Sequence, residues 1–272
     1  HQIQMKNRYN AVLTIAGSDS GGCAGIQADI KTISACGAYA ASVITPTTAQ
    51  NTMGVFDIHP IPIDHVNNQL DAVFSDINFK AIKVGMLHSS EIIELVMDKL
   101  KYYKAKNIVI DPVMVATSGD KLIGDDAVES LKTFLPMADV ITPNIPEAEI
   151  LLSYSVDEKN MLNAAKDLAC LYNTSVLLKG GHLKSKSKKM IDILYLNKEE
   201  KSIEIINKKV DSNNTHGTGC SLSSSLSTYL SKDQGIELAV RNACYFVNKA
   251  IAQGADIQLG EGKGPINHFN LK

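Results

Sequence analysis

The segment THGTGC at residues 215–220 combines a glycine-rich turn with a cysteine at the start of a helical pattern. Gly217 and Gly219 allow the backbone to approach a ligand closely. Apolar residues at helical spacing follow the turn, so Thr218 is expected to begin a helix. Free amide hydrogens and the positive end of the helix dipole favour anions at such a terminus. The turn therefore predicts a phosphate site with Cys220 inside it.

Carboxylate and amide side chains follow two strand-like runs farther up the chain. Asp111 follows one run, and Asn144 and Glu147 follow the next. These groups suit a magnesium ion that keeps several waters and bridges phosphates. Lys179 lies beside two glycines at the end of another run and can neutralise charge on a transferring phosphoryl group, although a single lysine is more often a surface residue. Together with the glycine turn, these residues indicate phosphoryl transfer.

Two further clusters offer contacts for an organic substrate. The side-chain amides of Gln50 and Asn51 each carry a donor and an acceptor in one plane, which suits the edge of an aminopyrimidine or similar heterocycle; the alternative is hydrogen bonding within a loop. Met86 is either a core residue or a wall for an aromatic ligand. Asp29, in the helix after GSDSGGCAG, either complements the helix dipole or holds a polar ligand. GxGxxG and Walker A loops are both absent.

The elements that must position these residues alternate along the chain. Short runs rich in β-branched residues lie at 11–16, 41–45, 81–85, 107–111, 139–142 and 175–181, with amphipathic helical segments between them. This alternation predicts an α/β fold with buried parallel strands and helices on both faces of the sheet. Runs 191–196 and 202–206 predict a hairpin and an antiparallel edge. Because ligands bind beyond the carboxyl ends of parallel strands, where nearly all the clusters fall, one broad site is expected.

Composition narrows the class of protein. The 272 residues are 44% hydrophobic and 21% charged with a net charge of -2, which offers no basic surface for nucleic acid. No apolar run is long enough to span a bilayer, and no signal peptide is evident, so we expect a cytoplasmic protein without a membrane partner. The five cysteines form no CxxC pair, which indicates neither a disulfide framework nor a zinc site. We expect one domain over residues 1–272, with a flexible or non-native N-terminus at residues 1–9.

The motifs together resemble the ribokinase superfamily, and within it the hydroxymethylpyrimidine and phosphomethylpyrimidine kinases of thiamine biosynthesis. The resemblance spans about residues 11–269 and is carried by LTIAGSDSGG, AGIQADIKT, TAQNT, KVGML, DPVM, TPNIPEAE, KGGH, THGTGC and GPINHF. It implies a three-layer α/β/α ribokinase-like fold with a central, mostly parallel sheet, and a homodimer. It also implies that ATP phosphorylates 4-amino-5-hydroxymethyl-2-methylpyrimidine and that a second ATP phosphorylates the monophosphate. Relatives that phosphorylate pyridoxal share GSDSGG and THGTGC, whereas AQNT favours the pyrimidine kinases.

The resemblance also implies roles for individual residues. The substrate residues are Gly17, Asp29, Gln50, Met86 and Val113, the last as an apolar wall. The magnesium residues are Asp111, Asn144 and Glu147. The residues that bind the ATP phosphates are Lys179, Thr215, Gly217, Thr218 and Gly219, of which the last three form an anion hole. The catalytic groups are Cys220, Lys179, Gly217 and Gly219.

The sequence departs from the family pattern in two places. Cys23 stands where many relatives have glycine, and Pro46 stands where a small residue is expected. Cys220 replaces the aspartate base of the broader superfamily, as it does in the pyrimidine kinases and some pyridoxal kinases. This cysteine supports the pyrimidine subgroup.

Two other classes of function compete with the kinase. Cys220 beside His216 could be an activated nucleophile for acyl transfer, but this leaves Glu147 and Lys179 without a role. A vitamin-binding regulator could keep the pocket without catalysis, but the intact Lys179, Glu147 and GTGC argue against it. ATP and magnesium are therefore the expected cofactors.

Overall fold

The computed structural model describes residues 6–116, 119–181, 183 and 187–272. The predicted N-terminal extension lies partly outside these ranges, because residues 1–5 are not among those described. His182 of the KGGH motif lies outside them as well.

The described ranges contain alternating strands and helices. The strands are β1 (Ala11–Asp19), β2 (Tyr39–Asn51), β3 (Gly54–Pro60), β4 (Phe79–Val84), β5 (Ile108–Ile110), β6 (Val140–Ile141), β7 (Ser175–Leu178), β8 (Lys189–Leu196) and β9 (Lys201–Lys208). The α-helices are α1 (Gly25–Ala35), α2 (Ile63–Phe74), α3 (Ser90–Tyr102), α4 (Asp125–Phe134), α5 (Ile145–Leu152), α6 (Met161–Tyr172), α7 (Thr218–Ser231) and α8 (Ile236–Gly254). A short 3-10 helix covers Leu135–Met137.

The strands form one nine-stranded sheet in the order β3-β2-β1-β4-β5-β6-β7-β8-β9. The six central strands, from β2 to β7, pair in parallel. Strands β8 and β9 extend the sheet in antiparallel fashion, as the two runs after residue 190 predict. The predicted mostly parallel sheet with an antiparallel edge is confirmed.

A second antiparallel edge was not predicted. Strand β2 does not end at Thr45 but continues through Pro46 to Asn51, and it pairs with β3 in a hairpin. Proline usually interrupts a strand because it has no amide hydrogen to donate. Here the β1–β2 register shifts between the pairs Ala16–Ile44 and Ser18–Thr47, so the proline lies at an irregularity of the ladder. The hairpin places Gln50 within a strand pair rather than in a loop.

Alternation along β1 assigns the helices to two layers. Val12 packs in a cluster with Ile33 of α1, whereas Leu13 packs in a cluster with Val66 and Leu70 of α2. Successive side chains of a strand point to opposite faces, so α1 and α2 cover opposite faces of the sheet. Helices α7 and α8 contribute a third cluster on the face of α1, and α3 to α6 contribute to the cluster of α2. This is the predicted three-layer α/β/α arrangement.

The order of the strands also locates the site. The chain crosses from β1 to β2 on one side and later returns to place β4 on the other side of β1, so the strand order reverses beside β1. Crevices for ligands form at the carboxyl ends of strands around such a point.

None of the helices in the part of the chain described above combines the length and apolar character needed to cross a membrane.

Candidate active site

A cavity of about 620 Å³ lies at the carboxyl ends of the parallel strands. Its wall includes nearly all the residues singled out in the sequence: Gly17, Gln50, Met86, Asp111, Val113, Asn144, Glu147, Lys179, Thr215, Gly217, Thr218, Gly219 and Cys220. The separate clusters therefore meet in one site. Asp29 is not part of this wall.

The turn before α7 requires both of its glycines, for different reasons. Gly217 is the N-cap residue and has φ 87°, and a Cβ there would lie 1.9 Å from the carbonyl oxygen of Cys23. Gly219 lies in the first helical turn, and a Cβ there would lie 3.2 Å from Lys179 Nζ. Gly217 thus allows two loops to touch, and Gly219 leaves open space between the helix terminus and a lysine. The helix dipole and the lysine charge both favour an anion in that space.

Lys179 and Asp111 border the space before the α7 terminus. Lys179 follows β7, and its Nζ lies 3.6 Å from Asp111 Oδ1. Burial lowers the pKa of Lys179, but the negative charges of Asp111 and Glu147 outweigh that effect and raise it, so the lysine is a cation. Asp111 Oδ1 is buried and accepts no hydrogen bond from the described residues. A buried carboxylate oxygen without a donor is open to a cation.

Asn144 and Glu147 form a capping box at the start of α5. Asn144 Oδ1 accepts a hydrogen bond from the Glu147 amide at 2.8 Å, and the Glu147 carboxylate accepts one from the Asn144 amide at 2.9 Å. The NxxE element therefore fixes its own geometry. Burial raises the pKa of Glu147 to about 8, and the nearby Asp111 charge contributes to the rise. Two buried carboxylates that repel each other form a donor set that suits a magnesium ion.

Asp29 differs from the prediction. Its carboxylate is fully buried behind the cavity wall and pairs with Lys83 Nζ at 2.8 Å. Thr14 and Ser224 donate further hydrogen bonds to it, at 2.6 and 2.5 Å. Asp29 therefore pairs a buried charge behind the cavity wall and does not itself line the cavity.

Sequence reasoning missed Lys83, which does line the cavity. Lys83 lies in β4, is fully buried, and points to the same face of the sheet as Thr14 and Val109, its partners in the ladder. Burial lowers its pKa, but the charge of Asp29 outweighs that effect and raises it. The available signal was a lysine inside the apolar run AIKVG, a position where a charge must be paired.

Two buried aspartates that organise loops were also missed. Asp19 accepts hydrogen bonds from the amides of Gly21, Cys23 and Ala24, at 2.7 to 2.9 Å, and so shapes the GSDSGGCAG loop. Asp192 accepts one from the Gly180 amide at 2.8 Å beside Lys179. Burial raises the pKa of Asp192 to about 6. Each aspartate fixes the backbone of a loop that borders the cavity.

Of the residues predicted for the pyrimidine, Gly17, Gln50, Met86 and Val113 line the cavity. Gln50 Nε2 donates to the Thr48 hydroxyl at 2.8 Å, which orients the amide. A Cβ on Gly17 would lie 3.3 Å from the Met86 sulfur, so the missing side chain leaves room beside the thioether. Val113 adds an apolar surface. An oriented amide between apolar walls suits a flat heterocycle.

Cys220 is half-buried in the first turn of α7. Burial raises the pKa of its thiol to about 11, although the charge of Lys83 opposes the rise. The thiol is therefore neutral near pH 7. A neutral thiol is a poor nucleophile, and this disfavours the acyl-transfer alternative for Cys220.

His216 lies close to Asp19 and Cys23, and the potential ligand atoms of these three residues are within 4.8 Å of one another.

The comparison with known proteins decides the family. A family model described as phosphomethylpyrimidine kinase matches residues 19–267. The chain belongs to the phosphomethylpyrimidine kinase family. The resemblance carried by the sequence motifs, and with it the predicted kinase activity, is confirmed.

Relatives of this family match almost the whole chain. The hydroxymethylpyrimidine/phosphomethylpyrimidine kinase of Haemophilus influenzae is 44% identical over 260 residues, which cover 95% of this chain and 96% of that protein. A thiamine biosynthesis bifunctional protein of Geobacter sulfurreducens is 46% identical over 261 residues, or 95% of this chain. The chain spans about half, 52%, of the length of that bifunctional relative.

Solved structures of two kinases share the fold. Bacillus subtilis pyridoxal kinase, in an ADP complex, has a TM-score of 0.87 and 34% identity over 96% of this chain and 98% of that chain. The phosphomethylpyrimidine kinase of Clostridium difficile 630 has a TM-score of 0.77 and 41% identity over 89% of this chain and 99% of that chain. The predicted ribokinase-like fold is confirmed.

The two glycines of the α7 turn predict opposite phenotypes in this kinase. Gly217→Ala should lower stability by about 1–2 kcal/mol from the left-handed backbone alone, and further through the contact with Cys23. Gly219→Ala should keep or raise the melting temperature, because alanine favours helix, but should lose turnover as the methyl group enters the space before Lys179. Thermal melts and ATP turnover of both variants test this. Full turnover by Gly219→Ala, or an unchanged melt for Gly217→Ala, would contradict it.

The buried Lys83–Asp29 pair predicts that substitutions of its two residues have non-additive effects on the free energy of unfolding. Lys83→Met should cost about 3–5 kcal/mol of unfolding free energy, because it leaves the Asp29 charge buried without a counter-ion. The double variant Lys83→Met with Asp29→Asn should recover most of that loss, since no unpaired charge remains. Urea unfolding of the two single variants and the double variant measures the coupling. A double variant as unstable as Lys83→Met would refute the pairing argument.

Proposed function

We propose that this kinase transfers the terminal phosphoryl group of ATP to the hydroxymethyl group of 4-amino-5-hydroxymethyl-2-methylpyrimidine, and that of a second ATP to the resulting monophosphate. The observation that carries the proposal is that one cavity contains both the space bounded by Gly219, Lys179 and Asp111 and the amide of Gln50 with apolar walls. An anion site and a heterocycle site in one cavity fit a phosphoryl donor and a pyrimidine acceptor. Names of full-length relatives support the same substrates.

The nucleotide fits the half of the cavity beyond Lys179. Its phosphates would lie against the lysine and the amides of the α7 turn, where Thr215 and Thr218 lie; the Thr218 hydroxyl donates to the Thr215 carbonyl at 2.6 Å and stiffens the turn. The wall farther along is largely apolar and suits a nucleotide base: Val210, Cys244, Val247, Asn248 and Ile251. The relative from Bacillus subtilis binds ADP, which supports a nucleotide site of this kind.

Magnesium fits the carboxylate pair. Asp111, whose Oδ1 accepts no hydrogen bond from the described residues, and Glu147 would hold the ion, directly or through water, while Asn144 fixes Glu147 through the capping box. When bound, magnesium neutralises charge on the phosphates. Lys179 supplies a second positive charge where the transferring group is held.

Cys220 has a role in accommodating both acceptors. The first acceptor is an alcohol, and the second is a phosphomonoester that is largely anionic near neutral pH. A carboxylate in the anion hole would repel the second acceptor, whereas the neutral Cys220 thiol does not. One site can then serve both steps. Homodimer formation, a single domain and a cytoplasmic location stay predictions.

Pyridoxal is a second candidate substrate. The solved structure of a pyridoxal kinase shares the fold over 96% of this chain. Pyridoxal is also a flat heterocycle with a hydroxymethyl group, so the same cavity could accept it. Magnesium-dependent ATP consumption, measured side by side with the hydroxymethylpyrimidine, its monophosphate and pyridoxal, tests the proposal. Turnover of pyridoxal alone would replace the pyrimidine proposal with this one.

Gln50 provides a test of the pyrimidine end. Gln50→Leu removes the oriented amide and should weaken pyrimidine binding by about 1–3 kcal/mol, because a polar ring group is left unpaired, with little change in ATP affinity. Asn51→Leu is the control, since the Asn51 amide oxygen accepts from the Met53 amide and the residue does not line the cavity. Calorimetry with each ligand measures both effects. Equal pyrimidine affinity in the wild type and Gln50→Leu would remove Gln50 from the site.

Cys220 provides a test of the two-step scheme. Cys220→Asp should keep appreciable activity on the alcohol but lose activity on the monophosphate, because a fixed negative charge repels an anionic acceptor. Cys220→Ser keeps a neutral group and should depress the first step more than the second, since the second acceptor needs no strong base. Turnover of both acceptors at several pH values measures the two steps. A Cys220→Asp enzyme that phosphorylates the monophosphate as well as the parent alcohol would refute the repulsion argument.

A further inference from the structure

Three metal-ligating side chains meet at the edge of the cavity without a role in the scheme above. Asp19 ends β1, Cys23 lies in the loop that follows, and His216 lies in the turn before α7. One carboxylate oxygen, the Cys23 sulfur and one imidazole nitrogen all lie within 4.8 Å of one another, and all three residues are buried. Residues about two hundred positions apart in sequence are thus brought together by the fold.

The backbone around each residue holds the cluster in place. Three amide hydrogen bonds to Asp19 fix the loop that carries Cys23. The Cys23 carbonyl oxygen lies so close to Gly217 that a Cβ on this glycine would be 1.9 Å from it. The loop that carries Cys23 and the turn that carries His216 are therefore in direct contact. The amide of His216 is itself anchored to the Gly264 carbonyl at 3.0 Å. A ligand set that is already positioned loses little entropy when an ion binds.

The three side chains have free coordination capacity. Asp19 Oδ1 accepts one of the amide hydrogen bonds and Oδ2 accepts two, so Oδ1 keeps one lone pair for a cation. The Cys23 thiol donates a long hydrogen bond, 3.9 Å, to the Gly21 carbonyl. Burial lowers the pKa of His216, so its imidazole is in the neutral form that binds metals.

The identities of the ligands select the ion. Sulfur and imidazole ligands suit zinc and similar ions, whereas magnesium prefers oxygen ligands. We propose that Asp19, Cys23 and His216 form a three-ligand site for zinc or a similar thiophilic divalent ion, separate from the carboxylate pair assigned to magnesium. Asp19 and His216 line the cavity, so an ion held by these residues would be reached from the open space.

Binding requires a proton to leave. Burial and the charge of Asp19 raise the pKa of the Cys23 thiol to about 11, so the sulfur carries its proton in the ion-free protein. The ion takes the sulfur as a thiolate, and the thiol proton passes to the solvent. One proton is therefore released for each ion bound near neutral pH. No oxidation or reduction occurs.

Cobalt(II) titration of the purified full chain in magnesium-free buffer tests the site, because cobalt replaces zinc and reports thiolate coordination by a near-ultraviolet charge-transfer band. We expect the band to saturate at about one equivalent, with release of a proton, and to disappear when zinc is added. Cys23→Ala should abolish the band, and His216→Asn should weaken binding on the order of tenfold or more. Cys170→Ala is the matched control, because Cys170 is exposed and free, and it should keep the band.

Thermal melts with and without zinc provide the second measurement. Zinc should raise the melting temperature of the wild type and of Cys170→Ala, since it binds only the folded arrangement, but not that of Cys23→Ala. Magnesium-dependent activity of Cys23→Ala verifies that this variant is folded. A cobalt band that persists in Cys23→Ala, or no thiolate band in the wild type, would overturn the proposal.

Discussion

The ion pair between Lys83 and Asp29 is the interaction on which the site depends. Both side chains are fully buried, and Thr14 and Ser224 complete the hydrogen bonding of the carboxylate. These four residues belong to β4, α1, β1 and α7. Because an unpaired charge in this position would be costly, the pair fixes how the two helices lie on the sheet. Helix α7, which follows the glycine turn, is held in this way against the strand that carries Lys83.

A second constraint joins the two loops that border the cavity. Asp19 shapes the loop after β1, and Gly217 allows the turn before α7 to rest on the carbonyl of Cys23. Neither residue has to touch a substrate to have this effect. The free amides of α7 therefore face the cavity in a fixed direction, which is the preorganisation that charge stabilisation in phosphoryl transfer requires. The same contact creates the cluster of Asp19, Cys23 and His216.

Charged groups of opposite sign lie close together in the cavity. Lys179 lies near Asp111 and Glu147, and burial, together with the charge of Asp111, raises the pKa of Glu147. The helix dipole and the charge of Lys179 both favour an anion in the space between them. The Cys220 thiol adds no charge. A pyridoxal kinase and a phosphomethylpyrimidine kinase share this fold, so the fold alone does not set the substrate and individual side chains must do so.

The sequence by itself determined the α/β class, the family, the parallel strands and many of the residues of the cavity wall, because glycine turns and polar groups at strand ends are local patterns. It could not reveal β3, since Pro46 hides the continuation of β2 and an exposed edge strand has little apolar pattern. It also misplaced Asp29 and overlooked Lys83. Only the tertiary structure decided these points, because the partner of a buried charge lies far away in sequence. The sequence predicted that Asp29 contacts a ligand, whereas in the structure it pairs with Lys83, 54 residues farther along the chain.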